Sequence, residues 1–165
     1  MSFIIRGRVW KYGDNINTDI ISPGQYMSQP VDKQAEHAME AIDPDFAGKI
    51  QAGDIIVAGN NFGSGSSRET AQMVLKHHQI GAIVANSFAR IFYRNSINVG
   101  LPVVEMVDTS VIEEGDEVEI DLLAGKVINH TKGVEYKGTK LPEHLIEMVK
   151  LGGLEPYLAN KLGIS

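Results

Sequence analysis

Asp54-Ile55-Ile56-Val57-Ala58 leads directly into Gly59-Asn60-Asn61-Phe62-Gly63-Ser64-Gly65-Ser66-Ser67-Arg68-Glu69. The first five residues are short, apolar and β-branched, the composition of a buried strand. Behind the glycines, the run from Ser67 to Ile80 puts Ala71, Val74, Leu75 and His78 on one face at helical spacing. The same alternation continues. Ala82-Ile83-Val84-Ala85 reads as a second strand, Phe88 to Arg94 as a short helix capped by Asn86-Ser87, and Leu101 to Glu105 as a third strand. Strands separated by helices in this way predict parallel pairing with right-handed crossovers, and an α/β fold whose strands can be apolar on both faces.

The turn itself carries chemistry. Its glycines allow tight turning and close approach to a ligand. A helix N-terminus behind it offers unpaired amides and partial positive charge, and Arg68 adds a planar fork suited to a carboxylate or phosphate. Three familiar glycine-rich motifs are excluded. A P-loop needs a lysine before the Ser or Thr, and none is present. A dinucleotide fingerprint started at Gly63 needs glycine where Arg68 stands. A nucleophile elbow needs glycines flanking a central serine in the G-x-S-x-G spacing, which no serine here satisfies. A capping box would account for Ser66 and Glu69 alone. It does not require Ser67, Arg68 or the preceding glycines, so the excess points to an anion-binding site with hydroxyls at its centre.

Outside this core the chain reads as follows. Ile4 to Trp10 alternates as a first strand, and Gly13 to Asp19 is a polar loop in which Thr18-Asp19 fits an Asx or Ser/Thr turn. Pro23-Gly24 turns, and Tyr26-Met27-Ser28-Gln29-Pro30 continues as irregular loop. Asp32 is a candidate cap for a helix to about Ala41, with Ala35, Ala38, Met39 and Ile42 on one face and Asp43-Pro44-Asp45 ending it. Gly81 is the expected C-cap of the helix that follows the glycine turn. Glu117 to Leu122 and Val127 to Thr131 form an antiparallel hairpin around Ala124-Gly125. Pro142 to Leu151 is helical, stopped by Gly152-Gly153, with a short helical tail behind it. With no repeat, low-complexity segment or linker, residues 1–165 are expected to form one mixed α/β domain. Arg90 and Arg94 read as solvated, Phe88, Phe92 and Tyr93 as core, and His78 as a packed, hydrogen-bonded histidine rather than a base.

Composition removes several function classes. A net charge of −6 without a basic cluster argues against nucleic acid. Neither a signal peptide nor an apolar run near the roughly 20 residues of a membrane helix is visible, so the cytosol is the expected compartment. The chain has no cysteine, which rules out disulfides, thiolate nucleophiles and any iron–sulfur cluster ligated by its own cysteines. Adjacent His77 and His78 diverge by about 100° on a helix and cannot chelate together. His37, His130 and His144 are scattered.

Taken together, Asn17-Thr18-Asp19, the run Gly59 to Glu69, and Asn86-Ser87-Phe88-Ala89-Arg90-Ile91-Phe92-Tyr93-Arg94-Asn95 resemble one family. It is the swivel domain of aconitase-like hydro-lyases in its free-standing form, the small subunits of the 3-isopropylmalate dehydratase type. The resemblance runs from about Val9 to Pro102. It implies a β/β/α swivel domain with a mixed, mostly parallel sheet flanked by helices, and a small antiparallel hairpin. The implied chemistry is isomerisation of a hydroxy-di- or tricarboxylate by removal and re-addition of water, in leucine biosynthesis for the isopropylmalate enzymes. Such chemistry needs a Lewis acid, a base and cationic clamps. In this family the Lewis acid is a [4Fe–4S] cluster held by a separate large subunit, so this chain is expected to bind no cofactor or metal itself.

By position, Ser66 matches the family's catalytic serine base, Ser67 and Arg68 match residues that bind substrate carboxylate, and Asp19 matches the acidic residue of the Thr-Asp motif. The loop Tyr26-Met27-Ser28-Gln29 matches the segment that contacts the group differing between substrates. It has no arginine, so a third carboxylate would lack a partner there, and Met27 can cover an alkyl group. Ser28 and Gln29 are more polar than an isopropyl pocket suggests, which keeps citraconate/methylmalate, dimethylmalate and homoaconitate chemistry open. The expected partners are the iron–sulfur large subunit and a small dicarboxylate, with self-association possible for the isolated chain and no nucleic acid or membrane. The competing class is a non-catalytic anion-binding domain. It predicts tight anion binding by the isolated chain, whereas half an enzyme site predicts weak binding alone.

Overall fold

The structure is a computed structural model that describes residues 3–65 and 70–163. Among these residues, Ile4–Lys11 (β1), Ile55–Val57 (β2), Ala82–Ala85 (β3) and Val103–Glu105 (β4) pair in parallel, in the order β4-β3-β2-β1. Glu117–Asp121 (β5), Lys126–Asn129 (β6) and Val134–Lys137 (β7) extend the same sheet from the other side of β1, all antiparallel. β1 is therefore the seam between two sheet halves. β2 and β3 are buried at every residue, as strands covered on both faces must be. β5 and β6 alternate instead, which leaves one face to solvent. The expected hairpin is present as β5–β6. It gains a third strand, β7, that its polar sequence Val134-Glu135-Tyr136-Lys137 concealed.

Helices cover the parallel half. Thr18–Ile21 (α1) and Val31–Ala35 (α2) pack against Thr70–His77 (α4), and Phe46–Lys49 (α3) precedes β2. Arg90–Asn98 (α5) joins β3 to β4, and Glu143–Leu151 (α6) and Leu154–Leu162 (α7) close the chain. No described helix is long and apolar enough to cross a membrane. Phe46 is fully buried beneath Trp10 and Tyr12, whose rings meet it edge-on at 5.6 and 6.2 Å. Trp10 Nε1 donates to Asp54 Oδ2 at 2.8 Å, and the same carboxylate oxygen accepts from Gln51 N at 2.9 Å. That pair of donors explains why an aspartate is tolerated at 7% exposure beside β2.

Three local expectations are corrected. The helix placed from Asp32 to Ala41 stops at Ala35, and Pro30, not Asp32, precedes it. Met39 then adopts φ +63° so that its amide can donate to Ile21 O at 3.2 Å; Ala38 and Met39 are buried, but Ile42 is exposed. Asn86 and Ser87 do not cap α5, which starts at Arg90 behind an uncapped Ala89. Asn86 instead joins Val107 O and Thr109, and Ser87 Oγ accepts from Asn61 N at 2.8 Å. α4 ends at His77, and Gln79 just beyond it (φ +59°), not Gly81, takes the left-handed position. The expected start of α4 at Ser67, and the Ser66–Glu69 capping box, lie outside the described residues.

Lys76 ties the helical layer together. Its Nζ donates to Val99 O at the end of α5 and, at 2.8 Å, to Gly152 O at the end of α6. One cation thus satisfies the unpaired carbonyls of two helix C-termini. Lys76→Met keeps the aliphatic stem and removes the charge. It is expected to lower unfolding free energy by roughly 1–3 kcal/mol, because two part-buried carbonyls lose a partner. Urea unfolding of the isolated chain checks this, and a midpoint unchanged from wild type would contradict it.

Candidate functional site

The parallel strands deliver their following loops to one edge of the sheet. Ligand sites in such sheets form outside the carboxyl ends of the strands. Here the loop after β1 (residues 13–18), the glycine turn after β2 and the segment 86–89 after β3 are stitched into one layer by main-chain hydrogen bonds. Gly59 N donates to Gly13 O at 3.0 Å and Asn15 N to Asn60 O at 2.8 Å. Gly63 N donates to Ile16 O and Thr18 N to Ser64 O, both at 2.7 Å. On the other side Phe62 N donates to Ser87 O at 3.0 Å and Ala89 N to Phe62 O at 2.9 Å. The three stretches singled out in the sequence therefore meet, with the glycine turn between the other two.

Side chains lock this layer. Asp14 Oδ1 accepts from Asn60 N at 2.7 Å, and Asn61 Nδ2 donates to Asn15 Oδ1 at 3.2 Å. Phe62 is fully buried, with Phe88 and Phe92 edge-on at 5.9 and 5.4 Å. Gly63 has φ +83°, and a Cβ there would lie 2.2 Å from Cγ of Phe92. Gly65 has φ +109°, and its Cβ would meet Thr18 Oγ1 at 3.0 Å. Both glycines are thus fixed by conformation and by neighbours at once. Phe92 is core, as expected, while Phe88 and Tyr93 are only half-buried against it. Burial, helped by Glu105, pushes the Tyr93 phenol above its ordinary range, so it stays protonated. His78 Nε2 lies 2.7 Å from Ala35 O, the packed arrangement expected of it.

Asp19 stands one residue beyond Thr18, in the first turn of α1, where an acid suits the helix dipole. Asn17 caps that helix, its Oδ1 accepting from Ile20 N at 2.8 Å. The turn expected at Thr18-Asp19 is instead the first turn of a short helix, which forms because Asn17 caps it. Asp19 is exposed, and its Oδ1 accepts from Gly24 N at 2.9 Å, which links the glycine layer to the loop Pro23–Pro30. A cavity of about 510 Å³ opens beside Asp19, with Pro23, Gln25 and Glu40 on its other walls. Tyr26 is half-buried, and Met27, Ser28 and Gln29 are exposed at the tip of the loop. Ser66, Ser67 and Arg68 lie outside the described residues; the chain reaches them from Gly65 and leaves them at Thr70.

What sequence reasoning missed is the supporting role of Asp14, Asn17, Ser87 and Phe92 in this layer. Asn17 had a detectable signal, an Asn two residues ahead of an acid and three ahead of Ile20-Ile21. The partners of Asp14 and Ser87 are distant in sequence and had none. Among the described residues no group of three or more His, Asp or Glu is arranged to hold a metal ion.

Comparison with known proteins gives this geometry a family. Residues 8–108 match the model of the aconitase C-terminal domain. The chain is similar to 3-isopropylmalate dehydratase small subunit 1 of Thermotoga maritima, 54% identical over 157 residues, covering 94% of this chain and 95% of that one. It is also similar to the isopropylmalate/citramalate isomerase small subunit of Methanocaldococcus jannaschii, 50% identical over 168 residues, covering 100% and 99%. A crystal structure of a 3-isopropylmalate dehydratase from Methanocaldococcus jannaschii superposes with a TM-score of 0.91 at 43% identity, covering 97% of this chain and 96% of that one.

Proposed function

The chain belongs to the aconitase C-terminal domain family, and from that membership we propose that it is the small subunit of a heteromeric hydro-lyase. The proposed reaction interconverts 2-isopropylmalate and 3-isopropylmalate by loss and re-addition of water, with a shorter 2-alkylmalate such as citramalate as the second substrate. Support for this pairing of substrates comes from relatives named for each. The observation that carries the reading is the stitched layer: Thr18 N on Ser64 O and Gly63 N on Ile16 O set the Thr-Asp motif against the turn that leads into Ser66.

In this proposal Ser66 takes the carbon-bound proton beside a substrate carboxylate and returns it at the neighbouring carbon. Ser67 and Arg68 bind carboxylate, the arginine through two parallel donors. Asp19 faces the side from which the hydroxyl departs. Met27 covers the alkyl group, flanked by Tyr26, Ser28 and Gln29. A chain without cysteine, and without a metal-binding cluster among its described residues, does not fit an iron–sulfur cluster. That group belongs, on this reading, to the large subunit.

Anaerobic assembly with an iron–sulfur large subunit tests the proposal, followed by turnover of 3-isopropylmalate, citramalate, homocitrate-type tricarboxylates and citrate. Turnover of 3-isopropylmalate and citramalate above the tricarboxylates is expected. Tight anion binding by the isolated chain, with no complex and no turnover, would replace the proposal with a binding domain.

A further inference from the structure

The loop Pro23–Pro30 is held at three points, two of them by Gln34 and His37, on a segment outside the glycine layer. At its start, Gly24 N donates to Asp19 Oδ1 at 2.9 Å. At its end, Gln29 O accepts from Nε2 of Gln34, a side chain 3% exposed whose Oε1 accepts from the buried Ser22 hydroxyl at 3.3 Å. Between them the ring of Tyr26 lies on the ring of His37, centroids 3.6 Å apart and planes within 7°. Gln29 N also donates to Tyr26 O at 2.9 Å, so the stack and the Gln34 contact act on one closed turn.

The stack does not form by ring attraction alone. Centred, parallel rings are the arrangement that like quadrupoles disfavour; free aromatic pairs prefer offset or edge-on contact. His37 is held in place from outside the pair, by Glu40 Oε2 at 2.8 Å from its Nδ1. Glu40 in turn borders the cavity beside Asp19. The segment carrying both residues is anchored by Met39, fully buried, with φ +63° and its amide on Ile21 O. A left-handed non-glycine residue persists only where its surroundings demand it. Rigid second-layer support of this kind is what keeps a binding loop within the tolerance that discrimination requires.

We infer that His37, oriented by Glu40, is a positioning residue that sets the place of Tyr26 and Met27 and thereby the alkyl group the site accepts. This deepens, and rests on, the hydro-lyase reading. A pocket that measures an alkyl chain separates neighbouring homologues by about 10- to 200-fold at best, and only if its walls stay in place. His37→Ala removes the stacked ring; His37→Phe retains a flat ring without the bond to Glu40.

The experiment uses the full chain assembled with the iron–sulfur large subunit, and reads kcat and KM for 3-isopropylmalate and for citramalate. His37→Ala is expected to change the ratio of the two kcat/KM values by at least about fivefold, through KM, with each kcat within about twofold. His37→Phe keeps a ring but loses the bond to Glu40 that holds it in the stack, so it restores only part of the ratio. Amide exchange on the isolated chain gives a second readout: in His37→Ala the amides of Gly24 and Gln29 exchange faster, while those of β2 and β3 do not. A wild-type complex that turns over neither substrate defeats the hydro-lyase reading. A wild-type complex that is active, with the ratio unchanged in His37→Ala, overturns the inference alone. Equal losses on both substrates, or unchanged exchange at Gly24 and Gln29, overturn it as well.

Discussion

Replacing Ser66 by alanine is expected to lower kcat of the assembled enzyme by about 10²- to 10⁴-fold, the span general-base and nucleophile removal commonly produces. KM should stay within a few-fold, because Ser67 and Arg68, not Ser66, are assigned to carboxylate binding. The size of the effect follows from how poor a base a serine hydroxyl is. To accept a proton from carbon it must be drawn toward the alkoxide by amide donors and cationic charge, and alanine has nothing to draw. The main chain that leads into the turn is held independently of the hydroxyl, up to Ser64, by Ile16, Thr18 and Ser87. The variant should therefore melt and assemble as wild type does. Turnover, a thermal melt and size-exclusion chromatography with the large subunit measure the three quantities. Near-wild-type kcat would remove Ser66 from the role of base and leave Asp19 or a residue of the partner to fill it.

The parts of this fold that were legible in the sequence are those whose burial is symmetric. Ile55 to Val57 and Ala82 to Ala85 are covered on both faces, so an unbroken apolar run signals them without help from context. The failures share a different cause, the use of a polar or flexible residue for a contact remote in sequence. Asn86 and Ser87 look like a helix cap because both are good at it locally. Here they bridge to Thr109 and Asn61, 23 and 26 residues away. The segment after Ala35 has helical spacing at Ala38, Met39 and Ile42, but the bond from Met39 N to Ile21 O breaks the period, and Ile42 turns outward. β7 is an edge strand with no buried residue, so no apolar alternation marks it. For the site, sequence gave the three motifs and their chemistry. Their meeting at one end of the sheet depends on strand order, and the stack of Tyr26 on His37 had no local signal at all.

The second large effect is expected at Gly63, where alanine should cost about 2–5 kcal/mol of folding free energy by two separate terms. The first is conformational: at φ +83° an L-residue is disfavoured by roughly 1–2 kcal/mol. The second is steric, since the new Cβ would fall 2.2 Å from Cγ and 2.5 Å from Cβ of Phe92, a ring 3% exposed and braced by Phe62 and Phe88. Overpacking of that kind adds about 1–3 kcal/mol. The chain can relieve the overlap only by moving Gly63 away from α5, which strains the bonds from Gly63 N to Ile16 O and from Thr18 N to Ser64 O. A displacement near 1 Å at the entry to the reactive turn costs about 10²-fold in rate, so kcat should fall even at temperatures where the variant remains folded. Gly48→Ala is the control. Gly48 sits exposed in α3 with nothing within 4 Å of its Cβ, and alanine there should be neutral or stabilise by up to about 1 kcal/mol. Combining Gly63→Ala with Phe92→Ala isolates the steric term. If the overlap is the cause, the double variant loses less than the sum of the singles by about 0.5–3 kcal/mol in urea unfolding. Strict additivity would assign the whole loss to backbone conformation, and a Gly63→Ala midpoint equal to wild type would show that the turn is not held against α5.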